Sequence, residues 1–182
     1  MTLVEILIAA TMFAIVSWSL FATARLMYKT AMSNLADGVA LHAAEGALEQ
    51  IRVLPYDSST IGSPGLKQLA ASTSGSPVGV SLNYFSTPNA TSSVPQLLSQ
   101  SIPSNAATYA TFSGAAISGS YSNGKIQQTP LDLQVRILVN ERTTDVNFGA
   151  GITVEIYYRY RVYKKDAYVT RVLRTFVARG VS

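Results

Sequence analysis

From Ile6 to Ala24 the chain carries no charged side chain. A bilayer-spanning helix needs roughly 17–25 such residues, so this run is long enough to cross a membrane and sets the terms for everything after it. One carboxylate, Glu5, stands a single step outside the run, and the first positive charges, Arg25 and Lys29, come after it. A secretory signal peptide has the reverse order, with basic residues before the apolar core and a small-residue cleavage site behind it. An ordinary anchor would place Arg25 and Lys29 on the cytoplasmic side, together with the head that follows. That arrangement gives Glu5 no purpose.

The helical pattern continues past the apolar run. No proline interrupts Ala24 to Leu54, and apolar or small residues recur at helical spacing: Met27, Ala31, Leu35 and Val39, then Leu41, Ala44, Leu48 and Ile51. Asp37, Glu45, Glu49 and Arg52 make this second half amphipathic. Pro55 ends it, because proline disfavours α geometry in the residue before it. A single helix of about 50 residues would be near 80 Å long at 1.5 Å per residue. Gly38 and Gly46 are the positions where it would loosen or bend.

The stretch TLVEILIAATMFAIV resembles the mature N-terminus of type IV pilins and the related pseudopilins: an aromatic residue or methionine first, then TLxE and an apolar helix. The likeness is close over about the first 25 residues and extends as architecture to Leu54. It implies that Met1 is the residue left after a prepilin peptidase removes a short basic leader, and that its amine is then N-methylated. It also implies that Glu5 is an assembly residue, pairing with the N-terminal amine of a neighbouring subunit as the helices bundle. An unpaired carboxylate is costly in hydrocarbon and a close cation removes most of that cost, so such a pair would select one helix register. Many pilins have glycine at the position of Ala14 and proline at that of Ala22, and commonly a C-terminal disulfide; this chain has none of them. The run ALEQIR before a proline-tyrosine pair also resembles the first-helix end of minor pilins and minor pseudopilins.

Beyond Leu54 the composition changes. Residues 55–130 are rich in serine, threonine, glycine, alanine, asparagine and proline, and between Asp57 and Lys125 the only charge is Lys67. This reads as irregular, variable surface sequence, with a strand at 77–85 and a short helical turn at 94–102. Asn89 opens a sequon and is a candidate glycosylation site, a triplet that also arises often by chance. Residues 131–182 alternate. Leu131, Leu133, Val135, Ile137 and Val139 share one face, as do Ile152, Val154, Ile156, Tyr158, Tyr160 and Val162 on the next strand, and a third strand follows a turn at 164–167. An amphipathic antiparallel sheet needs a cover, and the second half of the long helix is there to supply it. The fold class is therefore α+β, a long N-terminal helix (1–54) packed on a C-terminal antiparallel sheet (131–182). It agrees with the pilin-like fold that the resemblance implies.

Chemistry finds little footing in this chain. Without cysteine there is no thiolate nucleophile, disulfide framework or zinc-cysteine site, and the single histidine, His42, has no second histidine with which to share a metal. GSPG at 62–65 is a turn rather than a phosphate cradle. No enzyme activity, cofactor or metal is expected. Half of the fourteen basic residues lie beyond Tyr158, and Arg159, Arg161, Lys164, Lys165, Arg171 and Arg174, with Arg179 and interleaved tyrosines, form a candidate anionic-ligand surface. The bland alternative is a solvated sheet face or subunit contacts, and nucleic acid ranks as a lesser partner at a net charge of only +4.

The expected function is that of a structural subunit of an extracellular type IV pilus-like filament on the bacterial cell surface. It would be held in the inner membrane before assembly and partnered by copies of itself, the prepilin peptidase and the pilus assembly machinery. The alternatives are a minor pilin or pseudopilin of a secretion or DNA-uptake system and, from another class, a membrane-anchored binding domain.

Overall fold

The computed structural model describes residues 2–57, 64–73, 75–85, 97–112, 116–122, 125–142, 149–162 and 166–179. Asn89, Lys164, Lys165 and Met1 lie outside them. One helix, α1, runs from Leu3 to Arg52, and the chain turns at Val53 and Leu54 just before Pro55. The helix passes through Gly38 and Gly46 without a break in its assignment. By contacts the chain divides into two compact units, Met1–Leu35 and Ala36–Ser182.

The first unit is helix alone. From Thr2 to Leu35 no side chain is buried; Leu3 is 80% exposed, Phe13 75% and Trp18 77%. Trp18, Phe21, Arg25 and Lys29 recur three or four residues apart, so one face passes from aromatic to basic where the apolar run ends. Apolar all round and unburied, this segment is long and apolar enough to cross a membrane.

The second unit is the head. Its strands β6 (Asp132–Arg142), β7 (Gly151–Arg161) and β8 (Val169–Ala178) form an antiparallel meander, extended at one side by the two-residue β3 (Ala110–Thr111) in the order β3-β6-β7-β8. Alternation sets the core. Leu133, Ile137, Val139, Ile152, Val154 and Ile156 have no exposed surface, and each such side chain stabilises the fold by about 1.5–3 kcal/mol. Helix residues Ala36, Ala40, Ala44, Ala47 and Ile51 are buried in the same unit. The buried stripe is thus mostly alanine and is set one position away from Leu35, which stays 52% exposed, and Val39 and Leu41, which are half-buried. Alanine fills the space beside a sheet face already occupied by isoleucine and leucine without overpacking it, so small residues rather than large ones mark this seam.

Within 55–130 there is more regular structure than the composition suggests. A short helix α2 (Leu66–Ala71) buries Leu66 and Leu69, and β1 (Gly79–Phe85) pairs with β2 (Leu97–Pro103) over seven residues; β4 (Ala116–Ser122) pairs with β5 (Lys125–Pro130). The helical turn expected at 94–102 is therefore a strand from Leu97 onward. Its short apolar run, too brief to show a period, is decided by pairing with β1, which buries Ile102.

Asn105 ties these pieces to the sheet. In the left-handed region at φ 55°, it accepts from the Val139 amide at 2.8 Å, and its side-chain amide lies 3.2 Å from the Leu69 carbonyl and 3.1 Å from that of Ser72. At the start of β7 a side chain on Gly151 would meet the Phe176 ring and the Val177 carbonyl, so only glycine fits that crossing.

The alanine seam makes a definite forecast. Ala44→Leu should destabilise the head by about 1–3 kcal/mol through overpacking, whereas the same change at the unburied Ala14 should leave the head's melting temperature unchanged, both read by thermal unfolding in detergent.

Candidate functional site

Glu5 lies on the first turn of α1. Its carboxylate accepts a hydrogen bond from the Thr2 backbone N–H at 2.9 Å, and its own amide donates to the Thr2 carbonyl at 3.0 Å. With Thr2 as the residue before the helix and Glu5 three positions on, TLVE carries the reaching-back half of a capping box. Glu5 therefore has an intrachain partner, and the serine/threonine-x-x-glutamate spacing in the sequence was the signal for it. Ala14 and Ala22 are both helical and exposed.

The basic residues near the C-terminus do not share one face. Register pairs Tyr160 with Leu133 and Val169, and Tyr158 with Val135 and Arg171, so Arg171 lies on the helix-covered face. There its Nε is 3.8 Å from Asp37 of α1, and the same carboxylate oxygen accepts the Tyr160 hydroxyl at 2.8 Å. This clamp fastens α1 to β7 and β8 two residues into the head. Burial first, then the hydrogen bond to Asp37 and its charge, push the Tyr160 phenol up to about 12.

Arg159, Arg161 and Arg174 lie on the opposite face, in line with Gln134, Asp132 and Glu155. Arg161 Nε donates to Asp132 at 2.8 Å, and Arg174 Nε reaches Glu155 at 2.7 Å. Glu155 also accepts the Tyr157 hydroxyl at 2.9 Å, a double engagement that suits a carboxylate only 8% exposed. The Arg159 guanidinium lies between the rings of Tyr109, 4.1 Å away, and Tyr168, 4.6 Å away, while its Nε donates to Gln134 at 2.8 Å. Tyr168 donates to Asp132 at 2.6 Å and accepts from Gln134 at 2.9 Å.

The result is one connected array: Asp132, Gln134, Arg159, Arg161, Tyr109 and Tyr168. Burial alone would raise Asp132, but hydrogen bonds from Tyr168 and Arg161, the Arg161 charge and Gln134 outweigh it and hold the carboxyl below its usual range. The sequence made the basic residues visible. It did not show which of them Asp37, Asp132 and Glu155 engage, because those partners are between 19 and 134 residues away in the chain.

The two shifts act at opposite ends of the pH scale. A raised phenol stabilises the fold fully below its unfolded value near pH 10 and loses that contribution as pH rises through about 12. A lowered carboxyl contributes above about pH 4 and loses its contribution as pH falls through its folded value. Tyr160→Phe should make the alkaline limb of a stability-versus-pH curve shallower and leave the acid limb in place, and Asp132→Asn should make the acid limb shallower, as read by denaturant titration at stepped pH. Neither a family model, nor a curated protein, nor a solved structure matches this chain.

Proposed function

We propose that this chain is a pilin-like structural subunit, polymerising through the first half of α1 and displaying the α+β head on the outside of an extracellular filament. The single observation that carries this reading is the unburied apolar segment from Leu3 to Leu35, joined to a head whose own core is complete without it. So much exposed apolar surface in water is unstable at about 25 cal/mol per Å², and the chain needs lipid or other helices around it. A membrane serves the monomer, and parallel copies of the same helix serve the polymer, with each contact repeated along a helical array. In this reading the unassembled subunit waits in the inner membrane, a prepilin peptidase prepares Met1, and assembly machinery extracts the helix. The head has no catalytic part to play.

Glu5 is the assembly residue of the proposal. Its carboxylate, already capped on one oxygen by Thr2, has further lone pairs for the amine of a neighbouring copy. A second reading draws on the same bond. A carboxylate that caps its own helix and stays at the aqueous boundary, outside the apolar run, needs no neighbour, and the chain is then a membrane-anchored binding domain.

Glu5→Gln separates the two, because glutamine keeps the cap and removes the charge. Under the filament reading Glu5→Gln leaves a folded, membrane-inserted monomer but cuts sheared surface filaments at least tenfold, as seen by electron microscopy and intact-mass analysis of the sheared fraction. Normal filament yield from this variant removes the charge-pairing role. Absence of filaments from the wild-type chain itself, with the protein retained in the membrane, selects the anchored domain.

A further inference from the structure

The solvent-side face of the sheet holds one arginine that nothing accounts for. Arg136, on β6, makes no hydrogen bond or ion pair with any described residue, and its Nε is buried without a partner. Its neighbours on the same face are differently placed: Arg161 has Asp132, Arg174 has Glu155, and Arg159 has the Gln134 amide in place of a carboxylate. Register sets Arg136 opposite Tyr157 and Gln134 opposite Arg159, so Arg136 and Arg159 are diagonal neighbours. Such positions stand about 7–8 Å apart, within reach of two long side chains.

Two guanidiniums on diagonal positions with no carboxylate between them repel one another, and the Arg136 Nε is left an unsatisfied buried donor. Both terms oppose the fold. Arg136, Arg142, Arg159, Arg161 and Arg174 against Asp132 and Glu155 leave this face of the three strands with an excess of three positive charges among the described residues. One face of Tyr109 and one of Tyr168 are already occupied by Arg159. What the array lacks, by comparison with its own Arg161–Asp132 and Arg174–Glu155 pairs, is one planar two-oxygen acceptor, to which an arginine fork is matched.

We propose that Arg136 and Arg159 form a carboxylate-binding site on the solvent side of the sheet, taking one carboxylate group of an acidic ligand, with Tyr109 and Tyr157 as its walls. Arg161 and Arg174 hold the strands in place around it through their own carboxylates. The site is independent of whether α1 polymerises or anchors.

The test is thermal unfolding of the full chain in detergent, alone and with digalacturonate, its methyl ester, or inorganic phosphate as probes. Wild-type protein should gain melting temperature with digalacturonate in a saturable way and gain none with the ester. Arg136→Gln should lose that response entirely, and Arg136→Lys, which keeps the charge without the fork, should lose most of it. Without probe, Arg136→Gln should melt no lower than wild type, since it removes an unpartnered cation; a rise of about 2 °C is the expected scale. A fall in melting temperature on Arg136→Gln without probe would assign the residue a structural role and overturn the site. So would an equal response to the ester, an equal or larger response to phosphate, no response of the wild-type chain to digalacturonate, or a response that survives Arg136→Gln.

Discussion

A single α-helix in this protein has to satisfy two unlike surroundings, and the rest of the structure follows from that demand. From Leu3 to Leu35 none of its side chains is fully buried, while from Ala36 to Ile51 it buries a stripe of four alanines and an isoleucine. Backbone hydrogen bonding is closed within the helix throughout, which is what lets the same element stand in hydrocarbon at one end and in a protein core at the other. Side chains decide which surroundings each half accepts. Leucine, isoleucine, phenylalanine and tryptophan on every side suit a fluid apolar solvent, whereas alanine on one side suits a rigid, already filled sheet. The change occurs at Asp37, where the first polar contact between helix and strands is made.

That contact explains a feature of the sheet's covered face. Tyr158 and Tyr160 are buried at 3% exposure, and a buried phenol needs a partner for its hydroxyl. Asp37 supplies one for Tyr160, and Arg171 keeps the carboxylate from being an isolated charge. On the solvent-side face Asp132 and Glu155 likewise each engage both an arginine and a tyrosine. One rule covers three carboxylates on two faces: each accepts a phenol and lies beside a guanidinium. Arg136 is conspicuous because it falls outside that rule.

Period and length made much of this legible before any coordinates. The apolar run, the proline at 55 and the alternation over 131–139 and 152–162 fix a long helix and an antiparallel sheet, and β6, β7 and β8 lie where the pattern places them. The pattern fails where energy comes from partners distant in sequence. Leu97–Pro103 has no alternation of its own and becomes a strand only by pairing with β1. Of the helix stripe expected from spacing, Ala44 and Ile51 are buried, whereas Leu35 is exposed and its neighbour Ala36 is buried instead. Charge was legible as a count and not as an arrangement, since strand register alone decides that Arg171 and Arg174 belong to opposite faces.

Glu5 joins the local and the intermolecular sides of the problem. Its bond to Thr2 holds the first turn of the helix and leaves the net charge of the carboxylate unchanged. In water that charge costs little, and a cap of this kind contributes at most about a kilocalorie or two. In hydrocarbon the same charge is unfavourable by several kilocalories unless a cation stands close by, and a cap donated by a neutral amide cannot supply one. The segment that makes the chain apolar enough to need lipid or other helices therefore also makes its one carboxylate need a counter-charge. No lysine or arginine lies within the helix before Arg25, about 30 Å further along at 1.5 Å per residue, so no basic side chain of the helix itself stands near enough to supply it.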